Sequence, residues 1–174
     1  MTNVRIYVGT YNKYNNGSIY GKWIDLSNYL DKDELFTAMQ ELHKDEEDPE
    51  FMFQDWEGSK LFEDLNLIGE SYLSPKIYEV IEAIEECSYD VEVIEAYIDC
   101  YGCGSTGIEE IISQMEESYM GEYPNDTDFT QTLLEDTGCL PVNLPSYVHI
   151  DWVSTSRDIM MDYSDSNNHY FRCH

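Results

Sequence analysis

A chain of 174 residues with 42% hydrophobic content is long enough to bury a core in one ordinary domain or in two or three very small ones, which excludes outright disorder. Its 36 Asp and Glu stand against 9 Lys and Arg, a formal net charge of −27. That balance speaks against direct binding to DNA, RNA or an anionic membrane, all of which call for Lys and Arg, and favours a cationic partner.

The start, MTNVRIYVGTYNKYNNG, has no basic segment followed by a long apolar run. No stretch reaches the roughly 18 uncharged apolar residues of a membrane span, so a cytoplasmic protein is expected. Residues 4–10 and 19–25 alternate as strands do, with Tyr14–Gly17 (YNNG) as a hairpin turn between them. Asp31 and Glu34 form a capping-box pattern, and Leu35, Met39 and Leu42 follow at helical spacing, which predicts a helix over 32–44. After Pro49, FMFQDWE (Phe51–Glu57) reads as a third strand of the same small sheet. Gly58 and Ser59 mark a boundary, because the apolar period then changes from two to about 3.6.

Ile77, Val80, Ile81 and Ile84 make one apolar stripe, and Val91, Ile94, Ile98 and Tyr101 make another, so two short amphipathic helices are expected to pack together. Glu79, Glu82 and Glu86 fall on the face away from the first stripe, and Glu92, Glu95 and Asp99 are similarly displaced from the second. CYGCGSTG (Cys100–Gly107) reads as a second boundary, with Thr106 and Glu109 as a capping pattern before IEEIISQMEESY. Asp126 or Thr127 is expected to cap a helix through LLEDT, ended by Gly138, with Pro141 beyond. LPSYVHIDW is expected as one more short helix and HYFRC as a strand. The predicted fold class is α+β in three small domains: 1–59 with a three-stranded antiparallel sheet and a helix, 60–103 an acidic helical bundle, and 104–174 a second α+β domain.

From Ile77 to Ser156 there are 18 Asp and Glu and no Lys or Arg, with His149 the sole basic candidate. Exposed helices ordinarily pair Glu with Lys one turn apart, and here the Lys half is missing. One explanation is a solvated acidic surface or adaptation to high salt. The other is that carboxylates stand in for phosphates. At one charge per about 1.7 Å of duplex, the charge matches roughly 46 Å, or about 13 to 14 base pairs. That length exceeds the diameter of a single compact ball of this size, so DNA-like density would favour an elongated string of small units.

Cys100-Tyr-Gly-Cys103 has the spacing of half a zinc site or of a redox pair, but Cys87, Cys139 and Cys173 are isolated, and an odd count favours reduced thiols. Cys173, His169 and His174 could collect a metal ion at the chain end. Asp31-Lys-Asp33 and Asp126-Thr-Asp128 lack the Gly and final Glu of a calcium loop. His149-Ile-Asp151 could orient an imidazole, yet no nucleophile motif, P-loop or dinucleotide fingerprint accompanies it. No catalytic set, metal or cofactor is expected. The 15 Tyr and 3 Trp fill thin cores, anchor a protein interface, or do both.

RIYVGTYNKYNNGSIYGKWIDL (Arg5–Leu26) resembles the opening of the ArdA antirestriction family, with its strand, Tyr-Asn-x-Gly turn and Gly-x-Trp strand. FMFQDWEG resembles that family's third strand, and Arg157-Asp158 followed by HYFR resembles its final Arg-Asp and aromatic strand. LLEDTGCLPVNLPSYVHIDW resembles the antirestriction motif, through Leu133, Leu134, Glu135, Asp136, Thr137, Gly138, Leu140 and Pro141. The resemblance implies an elongated, curved homodimer, joined through its C-terminal part, that mimics bent B-form DNA and occupies the DNA groove of Type I restriction-modification enzymes. Phosphate substitutes would then be Glu79, Glu82, Glu86, Glu92, Glu95 and Asp99, with Asp45, Glu46, Glu47 and Asp48 as further candidates. The motif has two open roles, contact with the target and shaping of the dimer. Competing readings are an acidic adaptor that captures a basic DNA-binding protein and a carboxylate-dependent hydrolase.

Overall fold

The computed structural model describes residues 3–141 and 143–173. Its contacts divide the chain into two compact units, Met1–Val91 and Glu92–His174. In the first, β1 (Arg5–Thr10), β2 (Lys22–Asp25) and β3 (Phe51–Glu57) form an antiparallel sheet in the order β2-β1-β3. The central strand buries Ile6 and Val8 completely. No tight hairpin forms at YNNG. Thr10 instead accepts a hydrogen bond from the Lys13 N–H and caps a short helix, α1 (Tyr11–Asn15), after which Gly17 adopts φ +79°. Ile19 and Tyr20 are exposed and stand outside the sheet, so β2 begins at Lys22. The preceding Gly21 is required by close approach, since a Cβ there would lie 2.5 Å from the Val8 carbonyl oxygen.

Helix α2 (Lys32–Leu42) starts where the sequence predicts. Asp31 accepts from the Glu34 N–H at 2.8 Å, and the Glu34 carboxylate accepts from the Leu30 N–H at 3.0 Å, one residue earlier than in the usual reciprocal box. Leu35 and Met39 are buried, and Phe36 meets Phe51 edge to face at 5.1 Å. Beyond β3, α3 (Leu61–Asp64) and an Ile68–Leu73 bridge bury Leu61, Phe62 and Leu67. The Phe53 N–H donates to the Glu70 carbonyl at 2.6 Å, which ties this segment to β3. Helix α4 (Ile77–Glu86) buries the predicted stripe of Ile77, Val80, Ile81 and Ile84.

The second unit contains α5 (Val91–Tyr101, whose first residue closes the preceding unit), α6 (Ile108–Ser118), β4 (Tyr119–Glu122), α7 (Asp126–Asp136), α8 (Trp152–Ile159), β5 (Tyr163–Ser166) and β6 (His169–Arg172). Its antiparallel sheet has the order β4-β6-β5. Successive residues of β6 point to opposite faces. Phe171 meets Tyr97 at 5.5 Å and Tyr119 at 5.4 Å, whereas Tyr170 stacks on Phe129 at 4.5 Å and meets Tyr123 edge-on at 5.7 Å. Aromatic rings each bury about 150–250 Å², so four or five of them make a core from few residues. Helix α5 is buried more widely than its predicted stripe, with Val93, Ala96 and Tyr97 joining Ile94 and Ile98.

Several local expectations are corrected. Gly107, not Thr106, is the N-cap of α6, because the Thr106 hydroxyl donates to the Cys103 carbonyl and is unavailable to the helix. Asn125 caps α7 by accepting from the Asp128 N–H at 2.9 Å, one residue before the expected Asp126 or Thr127. LPSYVHIDW is not helical. It contains a turn in which the Val148 N–H donates to the Pro145 carbonyl, and α8 begins only at Trp152, where Asp151 accepts from the Ser154 N–H. The prolines at 141 and 145 disfavour helical conformation in the residues before them. Strand β5 was absent from the sequence reading, although Asn167 and Asn168, both with positive φ, form the two-residue turn that joins it to β6. The observed class is α+β, as predicted.

Candidate functional site

Most cations of the first unit are engaged within it. Arg5 pairs with Glu57 at 2.6 Å and lies 4.8 Å from the Trp23 ring centre. Lys32 donates to the Leu73 carbonyl at 2.6 Å. Lys13 donates to Asp45 at 2.8 Å, reaches Glu46 at 3.3 Å and lies 4.9 Å from the Tyr20 ring centre. It also donates to Nδ1 of fully buried His43, whose Nε2 faces the Val8 carbonyl at 3.2 Å as donor. The Lys13 hydrogen bond holds the Asp45 carboxyl below its ordinary range. Burial pushes Glu46 upward, but hydrogen bonds from Thr10 and Lys13 outweigh it and leave the carboxyl below its ordinary value. Two carboxylates of the Asp45–Asp48 run therefore tie a loop to α1, whereas Glu47 and Asp48 are exposed.

Between Lys76 and Arg157 the chain supplies no Lys or Arg. Of the 18 carboxylates from Ile77 to Ser156, only Glu95 and Asp128 are half-buried and the others are exposed. On α4, Glu79, Glu82, Glu85 and Glu86 all face solvent. Glu82 has like-charged neighbours three residues before and three and four residues after it, and each such pair costs a helix about 0.2–0.5 kcal/mol. Glu85 and Glu86 also occupy the last turn, against the helix dipole, with no basic residue there. A helix selected for stability alone would place Lys at one of these positions.

On α5, Glu92 and Asp99 are exposed, and Asp99 accepts from the Ser166 hydroxyl at 3.3 Å. Helix α6 adds exposed Glu109, Glu110, Glu116 and Glu117, which the sequence reading did not select although the same helical period displays them. The motif residues differ in character. Leu133, Leu134 and Leu140 are half-buried, and Glu135, Asp136, Thr137, Gly138 and Pro141 are exposed. Gly138, at φ +67°, ends α7 in a Schellman arrangement: its N–H donates to the Glu135 carbonyl and that of Cys139 to the Leu134 carbonyl. Beyond it, Leu144, Tyr147 and Val148 are exposed, as are Val153 on α8 and Met161. Val142 of this segment and His174 of the expected terminal metal trio lie outside the described residues.

Among the described residues, the groups considered for alternative chemistries are not brought together as a set. All five cysteines are free thiols, and burial pushes Cys100 up to about 11, opposite to the shift of a redox-active pair. The Asp151 carboxylate bonds the Ser154 N–H and hydroxyl at the start of α8, and the Ser154 bonds hold it below its ordinary range. Asp165 is raised, first by burial and then by Asp126, which already accepts from the Tyr170 hydroxyl at 2.8 Å. No group of His, Cys, Asp and Glu among the described residues is placed to hold a metal ion. No helix among them is long and apolar enough to cross a membrane.

Fold and surface together define an acidic α+β protein whose exposed charge, from Ile77 to Ser156, comes from carboxylates and from no Lys or Arg. The chain belongs to the ArdA antirestriction family, whose model, Antirestriction protein (ArdA), matches residues 6–172. It is an antirestriction protein, and restriction-modification enzymes are the kind of protein on which it acts. No curated protein matches the chain.

Proposed function

We propose that the protein mimics bent B-form DNA and inhibits Type I restriction-modification enzymes by occupying their DNA-binding groove. The observation that carries this reading is the run from Ile77 to Ser156, which holds 18 carboxylates and no Lys or Arg, with almost all of the carboxylates at the surface. Like charges held on rigid helices present a fixed field to a groove already lined with cations, which raises encounter rate and selects that partner over neutral ones. Glu79, Glu82, Glu86, Glu92, Glu95 and Asp99 act as phosphate substitutes in the proposal, joined by Glu47 and Asp48; the Lys13 pairing of Asp45 and Glu46 argues for a structural role there.

The antirestriction motif shapes a homodimer in this reading. Exposed Leu144, Tyr147, Val153 and Met161 support such a self-association surface in the C-terminal part. The partition into 1–59, 60–103 and 104–174 belongs to the same proposal, as does action in the cytoplasm without a nucleic-acid partner. The test is competition with DNA for a purified Type I enzyme at two salt concentrations. Stoichiometric inhibition that weakens steeply as salt rises supports the reading. Absence of competition at low salt, with the protein folded, refutes it and favours capture of another basic protein.

A further inference from the structure

Phosphate mimicry requires carboxylates at a surface, but not aromatic rings and an exposed leucine set among them. That combination occurs in the first unit. A hollow of about 450 Å³ between α4 and the turn before α2 is lined by Tyr29, Leu30, Tyr78, Glu82, Glu85 and Glu86. Leu30 is 85% exposed, an unusual position for a large aliphatic side chain flanked by polar residues. Tyr78 is half-buried, and its hydroxyl donates to the Leu26 carbonyl at 3.3 Å, which fixes the ring. The three carboxylates belong to the last two turns of α4, where unpaired helix carbonyls add to the negative potential. No Lys or Arg lines the hollow.

Charge complementarity therefore calls for a cation, and the apolar lining narrows its kind. A guanidinium is planar and weakly hydrated, stacks on aromatic faces and binds carboxylates with two parallel hydrogen bonds. Its aliphatic stem can also cover an exposed Leu. A Lys ammonium is compact and strongly hydrated and gains less from the rings. We propose that this hollow is an arginine-docking pocket, which takes one Arg side chain from the cationic surface of the target protein. The proposal deepens the functional reading above and rests on its basic partner. Within it, the diffuse carboxylate field sets the encounter rate, and the pocket supplies a local anchor of the aromatic-and-arginine kind that dominates many interfaces.

Two measurements test it. The first is an NMR titration of the folded protein with N-acetylarginine amide and N-acetyllysine amide, which needs no target. Shifts confined to Tyr29, Leu30, Tyr78 and their neighbours, about fivefold weaker in affinity for the lysine probe, are expected. They should vanish in Tyr29→Ala and in Glu82→Gln/Glu85→Gln, with the remaining spectrum unchanged. Equal affinity for both probes, or shifts spread equally over α6, overturns the proposal. The second is inhibition of the Type I enzyme. Tyr29→Ala should raise the half-inhibiting concentration about tenfold, whereas Glu116→Gln/Glu117→Gln, which removes two charges outside the pocket, should raise it less than about threefold. Inhibition by Tyr29→Ala equal to that of the parent overturns the assignment to the target's arginine. A parent protein that binds the arginine probe selectively yet fails to inhibit refutes the Type I reading and leaves the pocket standing.

Discussion

Replacing Glu82 by Gln should make this protein more stable and a poorer inhibitor at once. Glu82 is exposed on α4, with Glu79 three residues before it and Glu85 and Glu86 three and four residues after it. Relief of three like-charge pairs at about 0.2–0.5 kcal/mol each gives a gain of about 0.6–1.5 kcal/mol, and Glu and Gln have nearly the same helix propensity, so the change isolates charge. For a chain of this size, 1 kcal/mol moves Tm by about 2–4 °C, so a rise of about 1–6 °C is expected by circular dichroism at low salt. The gain should shrink in about 1 M salt, where the screening length falls to about 3 Å. Inhibition at low salt should weaken over the same substitution. A Tm that stays level or falls at low salt would refute the claim that these carboxylates are held together against their own repulsion.

The same structure yields further expectations. Thr10 and Lys13 hold Glu46 below its ordinary value of about 4.3, so it contributes stability above that pH that is lost as pH falls through the lower folded value. Urea unfolding of Glu46→Gln should accordingly show a flatter decline between pH 6 and pH 3 than the parent, and an identical slope would exclude this role. Gly138→Ala meets no atom within 4 Å but forces Ala to φ +67°, which should cost about 1–2 kcal/mol in thermal unfolding; a loss well under half of that would mean that α7 ends differently. Phe129→Ala removes the ring stacked on Tyr170 in the second core and should cost about 3–5 kcal/mol by urea unfolding. Burial pushes up Tyr78 and, together with Asp126, Tyr170, and it takes Tyr101 up to about 12. Their contribution is complete below about pH 10 and disappears as pH rises through the folded values, so near-ultraviolet titration should show these rings ionising only as the protein unfolds. Ionisation of all 15 tyrosines together near pH 10 in the folded state would contradict the packing.

Local signals were legible where side chain and backbone bond within a few residues. Asp31 with Glu34, the stripe of α4, the strand FMFQDWE and the termination of α7 at Gly138 all appear where the sequence places them, although Phe51, Met52 and Phe53 are buried in succession and not in alternation. Local signals failed where a second acceptor competed. Thr106 bonds the Cys103 carbonyl and leaves the cap of α6 to Gly107, and Thr10 starts a helix where YNNG alone suggests a hairpin. Asp151 offers a cap to Ser154, but the prolines upstream obscured where α8 begins. Strand β5 (YSDS) is short and polar, so its periodicity is invisible; the Asn167-Asn168 turn was the available clue.

The sequence by itself determined the charge, its run without cations and the period that turns Glu79, Glu82 and Glu86 outward, because these depend on composition and on helical geometry alone. Only the tertiary structure decided which acids are neutralised. Lys13 lies 32 residues from Asp45 in sequence, and the pairing exists because β1, α1 and the loop after α2 fold together. It also decided what the tyrosines do: Tyr97 and Tyr170 are core, while Tyr29 and Tyr78 border a carboxylate-rimmed hollow. Residues 29 and 78 carry no mutual signal along the chain, since their proximity is set by packing between elements that local periodicity cannot position.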